Sequence, residues 1–309
     1  MTSKPKFTAK GTFLYTQYKN QLNFYLDKDM PDFQITVKGE NPIITVSECE
    51  NFVIAIDSRK HNMDLEYKVY LYSLFEEHLI YETDWLVGAR SLPASKQFHL
   101  NSSGTYFYQF EQGNTLVLYQ ISMENDFFQI KRQCEHLMQN VKAIEWSPLQ
   151  NYLAVFQKAR PDLPSQFTII DPSISEAHRQ KVVSRTFYVE QIRLVWQSNG
   201  KQVSVITDTK QSTQIINYLM TTNFPCTSTK FPPGSTIVDF EYSFDSKYCV
   251  SLVQMRNVEK KGKKDQNAQQ DQKSVLESKS PSVYIQKVNC DDKPTKIISL
   301  DAEKLYFCP

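Results

Sequence analysis

The chain has 309 residues, 40% of them hydrophobic and 13% aromatic, which is material for one large repeat-built domain or two ordinary ones. Its 35 Lys and Arg nearly cancel 34 Asp and Glu, so a global field that gathers nucleic acid is excluded and any such role needs a local patch. Residues 1–10 are polar and basic without an apolar core, no run approaches the roughly 20 apolar residues of a membrane span, and the cysteines include no C-x-x-C pair, which together argue against secretion, a membrane and a disulfide scaffold.

In chain order, Phe13–Tyr18 and Leu22–Leu26 are extended runs separated by Lys19-Asn20-Gln21, and Phe33–Val37 continues beyond Asp27-Lys28-Asp29; they predict an opening sheet over 11–40. Asn41-Pro42 punctuates. The next unit, 43–83, holds the hairpin IITVSECENFVIAI (Ile43–Ile56), a polar excursion over Asp57–Glu66 and a strand at Tyr67–Tyr72. Leu74–Tyr81 fits either a helical turn or an outer edge strand carrying Glu76-Glu77-His78. Trp85–Arg90 leads into a third unit, 98–130, with the hairpin FHLNSSGTYFYQF and a strand at Leu116–Ile121. Asn101-Ser102-Ser103 matches a glycosylation acceptor, but without a secretion signal it reads as a turn.

The fourth unit, 141–183, opens with VKAIEWSPLQNYLAVF. Ile144 and Trp146 share a strand face, Ser147-Pro148 ends the strand because proline lacks the N–H a ladder needs, and Gln150-Asn151 turns the chain. Tyr152–Phe156 is then apolar throughout, as suits a strand covered on both faces. A rigid loop at Arg160–Pro164, a strand at Phe167–Ile170, and a short helix or loop over Ser173–Gln180 follow. The fifth unit, 189–230, carries IRLVWQSNGKQVSVI (Ile192–Ile206) and a strand at Ile215–Leu219, and Phe231-Pro232-Pro233-Gly234 closes it. The sixth, 235–298, carries IVDFEYSFDSKYCVSLV (Ile237–Val253) and a strand at Val283–Val288. Within it, 258–280 is too rich in Lys, Gln and Asp to offset its ordering entropy and reads as a disordered insertion. Lys296–Phe307 resembles the first hairpin of a seventh unit.

Hairpin, strand and polar connection therefore recur at roughly 45 to 55 residues, the rhythm of β-propeller blades. A β-sandwich with accidental spacing is the alternative. Six blades and part of a seventh predict an incomplete ring, a piece of a longer protein, or a ring closed in an unusual way. With only 8 glycines, the turns lean on Asn, Asp, Ser and Lys. Trp146, Trp196 and Tyr242 stand at matching repeat positions and are expected to pack blades together.

The sequence holds no phosphate-binding loop, dinucleotide fingerprint, H-E-x-x-H or G-x-S-x-G. Its five histidines (His61, His78, His99, His136, His178) are isolated from one another and from cysteines at ligand spacing. No catalytic residue, metal or cofactor is expected, and the protein is not expected to be an enzyme. Lys260, Lys261, Lys263 and Lys264 form the one conspicuous cluster, able to grip phosphates; Glu259, Asp265 and Asp271 dilute it, and a solvated loop is the plainer reading.

The phrases VKAIEWSPLQNYLAVFQ, IRLVWQSNGKQVSVITDT and IVDFEYSFDSKYCVSLV resemble the WD40-like β-propeller of the eukaryotic translation initiation factor 2A family, with the propeller of the b subunit of initiation factor 3 closely similar. The resemblance covers about 98–309, and residues before that only by blade rhythm. It implies an all-β, cytoplasmic, non-enzymatic platform on the small ribosomal subunit that supports initiator tRNA delivery. Initiator tRNA, messenger RNA and other initiation factors are its implied partners, with no membrane. In that family nine blades precede a charged helical tail; neither the later blades nor that tail is matched here, and the matched positions transfer no contact residue. A general scaffold subunit of another intracellular complex is the competing reading.

Overall fold

Extended runs broken by turn residues make strands, and the described residues contain twenty-five of them with a single 3-10 turn at Ala94–Lys96. The computed structural model describes residues 4–26, 31–161, 163–174, 180–186, 189, 191–209, 213–221, 223–255, 282–288 and 295–299. It divides into two units, Met1–Phe187 and Tyr188–Pro309. Among the described residues no helix is long and apolar enough to cross a membrane.

The first unit carries four sheets. Blade one comprises β1 (Lys6–Phe7), β2 (Leu14–Tyr18), β3 (Gln21–Tyr25) and β4 (Phe33–Thr36). Blade two comprises β5 (Ile43–Val46), β6 (Phe52–His61), β7 (Asp64–Ser73) and β8 (Leu79–Glu82), with β9 (Leu86–Val87) added beside β7. Blade three holds β10 (Phe98–Leu100), β11 (Tyr106–Glu111), β12 (Thr115–Glu124) and β13 (Phe127–Leu137). Blade four holds β14 (Val141–Trp146), β15 (Leu153–Gln157), β16 (Ser165–Ile170) and β17 (Gln180–Thr186). In the second unit, blade five runs β18 (Gln191–Trp196), β19 (Gln202–Asp208), β20 (Thr213–Leu219) and β21 (Cys226–Lys230). Blade six runs β22 (Ser235–Tyr242), β23 (Tyr248–Met255), β24 (Ser282–Lys287) and β25 (Thr295–Ser299).

Every sheet is an antiparallel meander whose strand order follows the chain, the blade of a WD40-like β-propeller. Burial explains why second strands such as β6 and β15 read as apolar runs. Along β6, Val53 and Ala55 pack with Leu22, Phe24 and Ile35 of blade one, while Phe52, Ile54 and Ile56 pack with Phe98, Leu100 and Phe107 of blade three. Blade three repeats the split: Phe107 faces blade two, and Tyr108 and Phe110 join Ile144, Leu153 and Val155 of blade four. Side chains alternate with period two, so a strand apolar at every position serves both neighbours at once. Each such side chain contributes about 1.5–3 kcal/mol on leaving water.

Trp146 meets its expected role, buried in the blade three–four core with its indole N–H donating to the His99 carbonyl at 3.1 Å. Tyr242 does the same between blades five and six, where its hydroxyl meets Ser204 and accepts from Gln202 Nε2 at 3.1 Å. Turns do lean on residues other than glycine: Lys19, Glu50, Asn62, Asn125, Asn140 and Ser246 all take positive φ.

Some readings need correction. The polar stretch Asp57–Glu66 is no excursion: β6 and β7 continue through it as a long hairpin turning at Asn62-Met63, with φ of 48° and 70°. Exposure from Ser58 onward removes the apolar signature that marks strands elsewhere. Glu76-Glu77-His78 lies in the turn before β8, not on the edge strand. Blade three extends past Ile130 to Leu137. Thr295–Ser299 pairs with β24 as the fourth strand of blade six, so Lys296 completes that blade and does not open a seventh. The insertion read at 258–280 and residues 300–309 lie outside the described residues, as does most of the stretch from Ser173 to Gln180.

Candidate functional site

Lys260, Lys261, Lys263 and Lys264 lie outside the described residues, as do His178, Cys290 and Cys308. The remaining histidines are dispersed. His61 pairs with Glu66 at 3.0 Å, His78 with Glu76 at 3.1 Å, and His136 approaches the Cys134 sulfur at 3.5 Å. Among the described residues no group of three or more His, Cys, Asp and Glu is arranged to hold a metal ion. Cys49, Cys226 and Cys249 are free thiols.

A cavity of about 350 Å³ lies in the first unit between β5 and β10, the first strands of blades two and three. Ile43, Ile54, Ile56 and Phe98 give it apolar walls, and Glu48, Lys96 and His99 give it a polar margin. His99 stacks beside Tyr108 and donates from Nδ1 to the Leu100 carbonyl at 2.7 Å, which leaves Nε2 as an acceptor in the neutral ring. Burial pushes its imidazole below the ordinary value of 6.5, so the ring is neutral at physiological pH. Lys96 is held by Glu145 of blade four at 2.8 Å.

A second candidate follows from the meander. It puts the turn between strands one and two and the turn between strands three and four at the same end of each sheet. In the first unit these ends are stitched together. Lys10 of blade one donates from its backbone N–H to the Glu50 carboxylate at 2.5 Å and from Nζ to the Cys49 carbonyl at 3.2 Å in blade two. Gly104 of blade three sits so close to Cys49 and Phe52 that a Cβ there would lie 2.6 Å from the sulfur. Asn101 Nδ2 donates to Asn151 Oδ1 at 2.8 Å and Ser102 Oγ donates to the Pro148 carbonyl, joining blades three and four. Asn101 is a turn residue, as read: its Oδ1 accepts from the backbone N–H groups of Thr105 and Tyr106. The second unit shows the same device, with Gln197 Nε2 donating to the Ser246 carbonyl at 2.7 Å.

Glu50 is the buried anchor of this end. Burial alone would raise its pKa, but hydrogen bonds from Thr12, Thr8 and Lys10 hold it below the usual value. Above the anchored backbone stand large apolar side chains: Phe75 is 73% exposed, Phe127 65%, Leu149 72% and Met123 59%. Their number matters because a stitched, rigid end carrying several exposed aromatic and aliphatic groups suits contact with another macromolecule better than contact with water. Sequence reasoning missed them, since an exposed Phe in a turn looks like a core Phe.

No protein-family model matches the sequence, and no curated protein does. Among solved structures, one described as that of the eukaryotic initiation factor aligns over 100% of this chain and 68% of its own, with a TM-score of 0.68 and 13% identity. A Bacteroides ovatus protein described as a dipeptidyl aminopeptidase IV aligns over 96% of this chain and 46% of its own, with a TM-score of 0.55 and 10% identity. The Cps50 (Swd1) β-propeller domain of Myceliophteria thermophila also aligns, at a TM-score of 0.48 that adds no weight. At such identities the likeness concerns architecture, and with the six meanders it identifies the fold as a WD40-like β-propeller.

Proposed function

We propose that the protein is a non-enzymatic binding platform in translation initiation, one that docks on the small ribosomal subunit and supports delivery of initiator tRNA. The observation that supports this reading is the alignment of the whole chain with the initiation-factor structure at a TM-score of 0.68. In this reading the working parts are the ends and rims of the blades, where exposed side chains meet partners. Lys260, Lys261, Lys263 and Lys264 would add phosphate contacts whose strength falls with salt. The test is sedimentation of cell extract through a sucrose gradient with detection of the protein in each fraction. Co-migration with free small subunits supports the proposal; confinement to the top of the gradient overturns it.

A second reading is a scaffold subunit of another intracellular complex, because a propeller offers rims and faces to partners and its fold does not dictate its task. Affinity purification separates the two. Ribosomal proteins in the eluate support the first, and a different stable complex supports the second.

A further inference from the structure

The turn end of the first unit has a composition that the opposite end does not share. Glu48 stands in the first turn of blade two, Glu77 in its third turn, and Glu124 and Asp126 at the tip of the β12–β13 hairpin in blade three; all four are exposed. None of the four forms an ion pair among the described residues. Of the cations described in these turns, His78 pairs with Glu76, and Lys10 donates from Nζ to the Cys49 carbonyl, so carboxylates outnumber cations there. At the opposite end charges of both signs neutralise one another, as in Lys38–Glu82, Arg59–Glu66 and Arg90–Asp64.

At the same end stand exposed apolar side chains: Phe75, next but one to Glu77; Met123 and Phe127, flanking Glu124 and Asp126; and Leu149 of blade four. The register of the β12–β13 hairpin shows how the tip is disposed. Met123 pairs with Phe128 and Ile121 with Ile130, so these four share a face. Phe128 on that face packs against Phe52 of blade two at 5.3 Å between ring centroids. Met123 thus continues a buried blade-to-blade seam into solvent, toward blade two. Phe127 pairs with Glu124 on the other face.

Carboxylates in excess over cations among the described residues repel phosphates, which argues against nucleic acid on this surface. Apolar groups at the same end call for a partner that supplies both positive charge and apolar anchors. We propose that this end of the first unit docks a cationic, amphipathic segment of a partner protein, its large apolar side chains seated on Phe75, Met123, Phe127 and Leu149 and its Lys or Arg side chains facing Glu48, Glu77, Glu124 and Asp126. The surface belongs to the chain whichever assembly it serves, so a protein absent from small-subunit fractions would end the initiation reading and leave this one standing.

The test uses the full chain and a fluorescein-labelled peptide of about 18 residues, a helical span of some five turns, with Lys and Leu at amphipathic spacing, followed by anisotropy. Controls are the same peptide with Glu for Lys and a labelled oligouridylate. The cationic peptide is expected to bind with an affinity that falls as salt rises, and neither control is expected to compete for its site. Glu48→Gln, Glu77→Gln, Glu124→Gln and Asp126→Asn combined should weaken it roughly tenfold or more and flatten the salt dependence. Phe75→Ser with Phe127→Ser should weaken it by a similar factor while the salt dependence persists. Lys60→Gln, at the other end of blade two, should change nothing. Each set of changes is at exposed turn positions and is checked by far-ultraviolet circular dichroism; if one set fails to fold, the other decides. Unchanged binding by either folded variant, or displacement of the peptide by oligouridylate, overturns the proposal.

Discussion

Gln97 shows how one side chain can hold a connection together. It is fully buried, its Oε1 accepts from Ala89 N–H at 2.7 Å, and its Nε2 donates to the carbonyls of Ala89 at 3.0 Å and Leu92 at 2.9 Å. Gln97→Leu strands those backbone groups, and a loss of about 2–4 kcal/mol in chemical denaturation is expected. Gly104 is constrained twice, by a φ of +74° and by Cys49 and Phe52, which would lie 2.6 and 2.9 Å from an added methyl group. Gly104→Ala should therefore cost about 2–4 kcal/mol, whereas Gly11→Ala, at φ +77° with open space around it, should cost only about 1 kcal/mol. His99 is expected to make stability fall with acid. Its folded pKa lies below 6.5, so under mildly acidic conditions the unfolded chain binds the extra proton. Its contribution is complete above about 6.5, is eroded as pH drops beneath that value, and stops changing once the folded ring also protonates. His99→Gln should flatten that part of a stability–pH curve; an unaltered slope would remove the buried imidazole as its source. The thiols should differ in native labelling by iodoacetamide at pH 8: Cys226 is exposed and reacts, while Cys249 is buried, its pKa pushed up to about 12 by burial, and stays unlabelled until denaturant is added.

Turns decide which hairpins the amino-acid pattern reveals. Asn62-Met63 is a two-residue connection with both residues left-handed, a geometry that favours Asn followed by Gly. Met63 is 97% exposed and packs on nothing, so Met63→Gly should raise stability by about 0.5–1 kcal/mol, read as a higher midpoint in thermal melts. The same turn explains a misreading. Without Gly, and with Arg59, Lys60 and His61 in water on strands that no neighbouring blade covers, neither alternation nor turn chemistry marks the β6–β7 tip as a hairpin. Where both faces of a strand are covered, as in Leu153–Phe156 or Val203–Ile206, the largely apolar run and the Ser-Pro or Asn-Gly turn before it are legible at once. The candidate docking end was hidden for another reason. Glu48, Glu77 and Glu124 are far apart along the chain and come to the same end only because the meanders bring like turns there, and no local pattern encodes that.

At the scale of the molecule, blades two and three of the first unit each share their core with the blade before and the blade after, and blades five and six share one within the second unit, the arrangement of one-dimensional arrays with nearest-neighbour coupling. The contact pattern groups blades one to four separately from blades five and six. Differential scanning calorimetry should therefore give a van't Hoff enthalpy smaller than the calorimetric one, resolving into two transitions; a single two-state peak would contradict two cooperative units. Apart from β9 beside β7, every strand among the described residues pairs only with its immediate predecessor and successor along the chain. A nascent polypeptide leaving the ribosomal tunnel can thus complete each sheet as its fourth segment emerges, at intervals of roughly 2–10 s for blades of about 45–50 residues. No early strand of these sheets has to wait exposed for a partner made much later in synthesis, and vectorial assembly of this kind spares the half-made product the sticky edges on which aggregates grow.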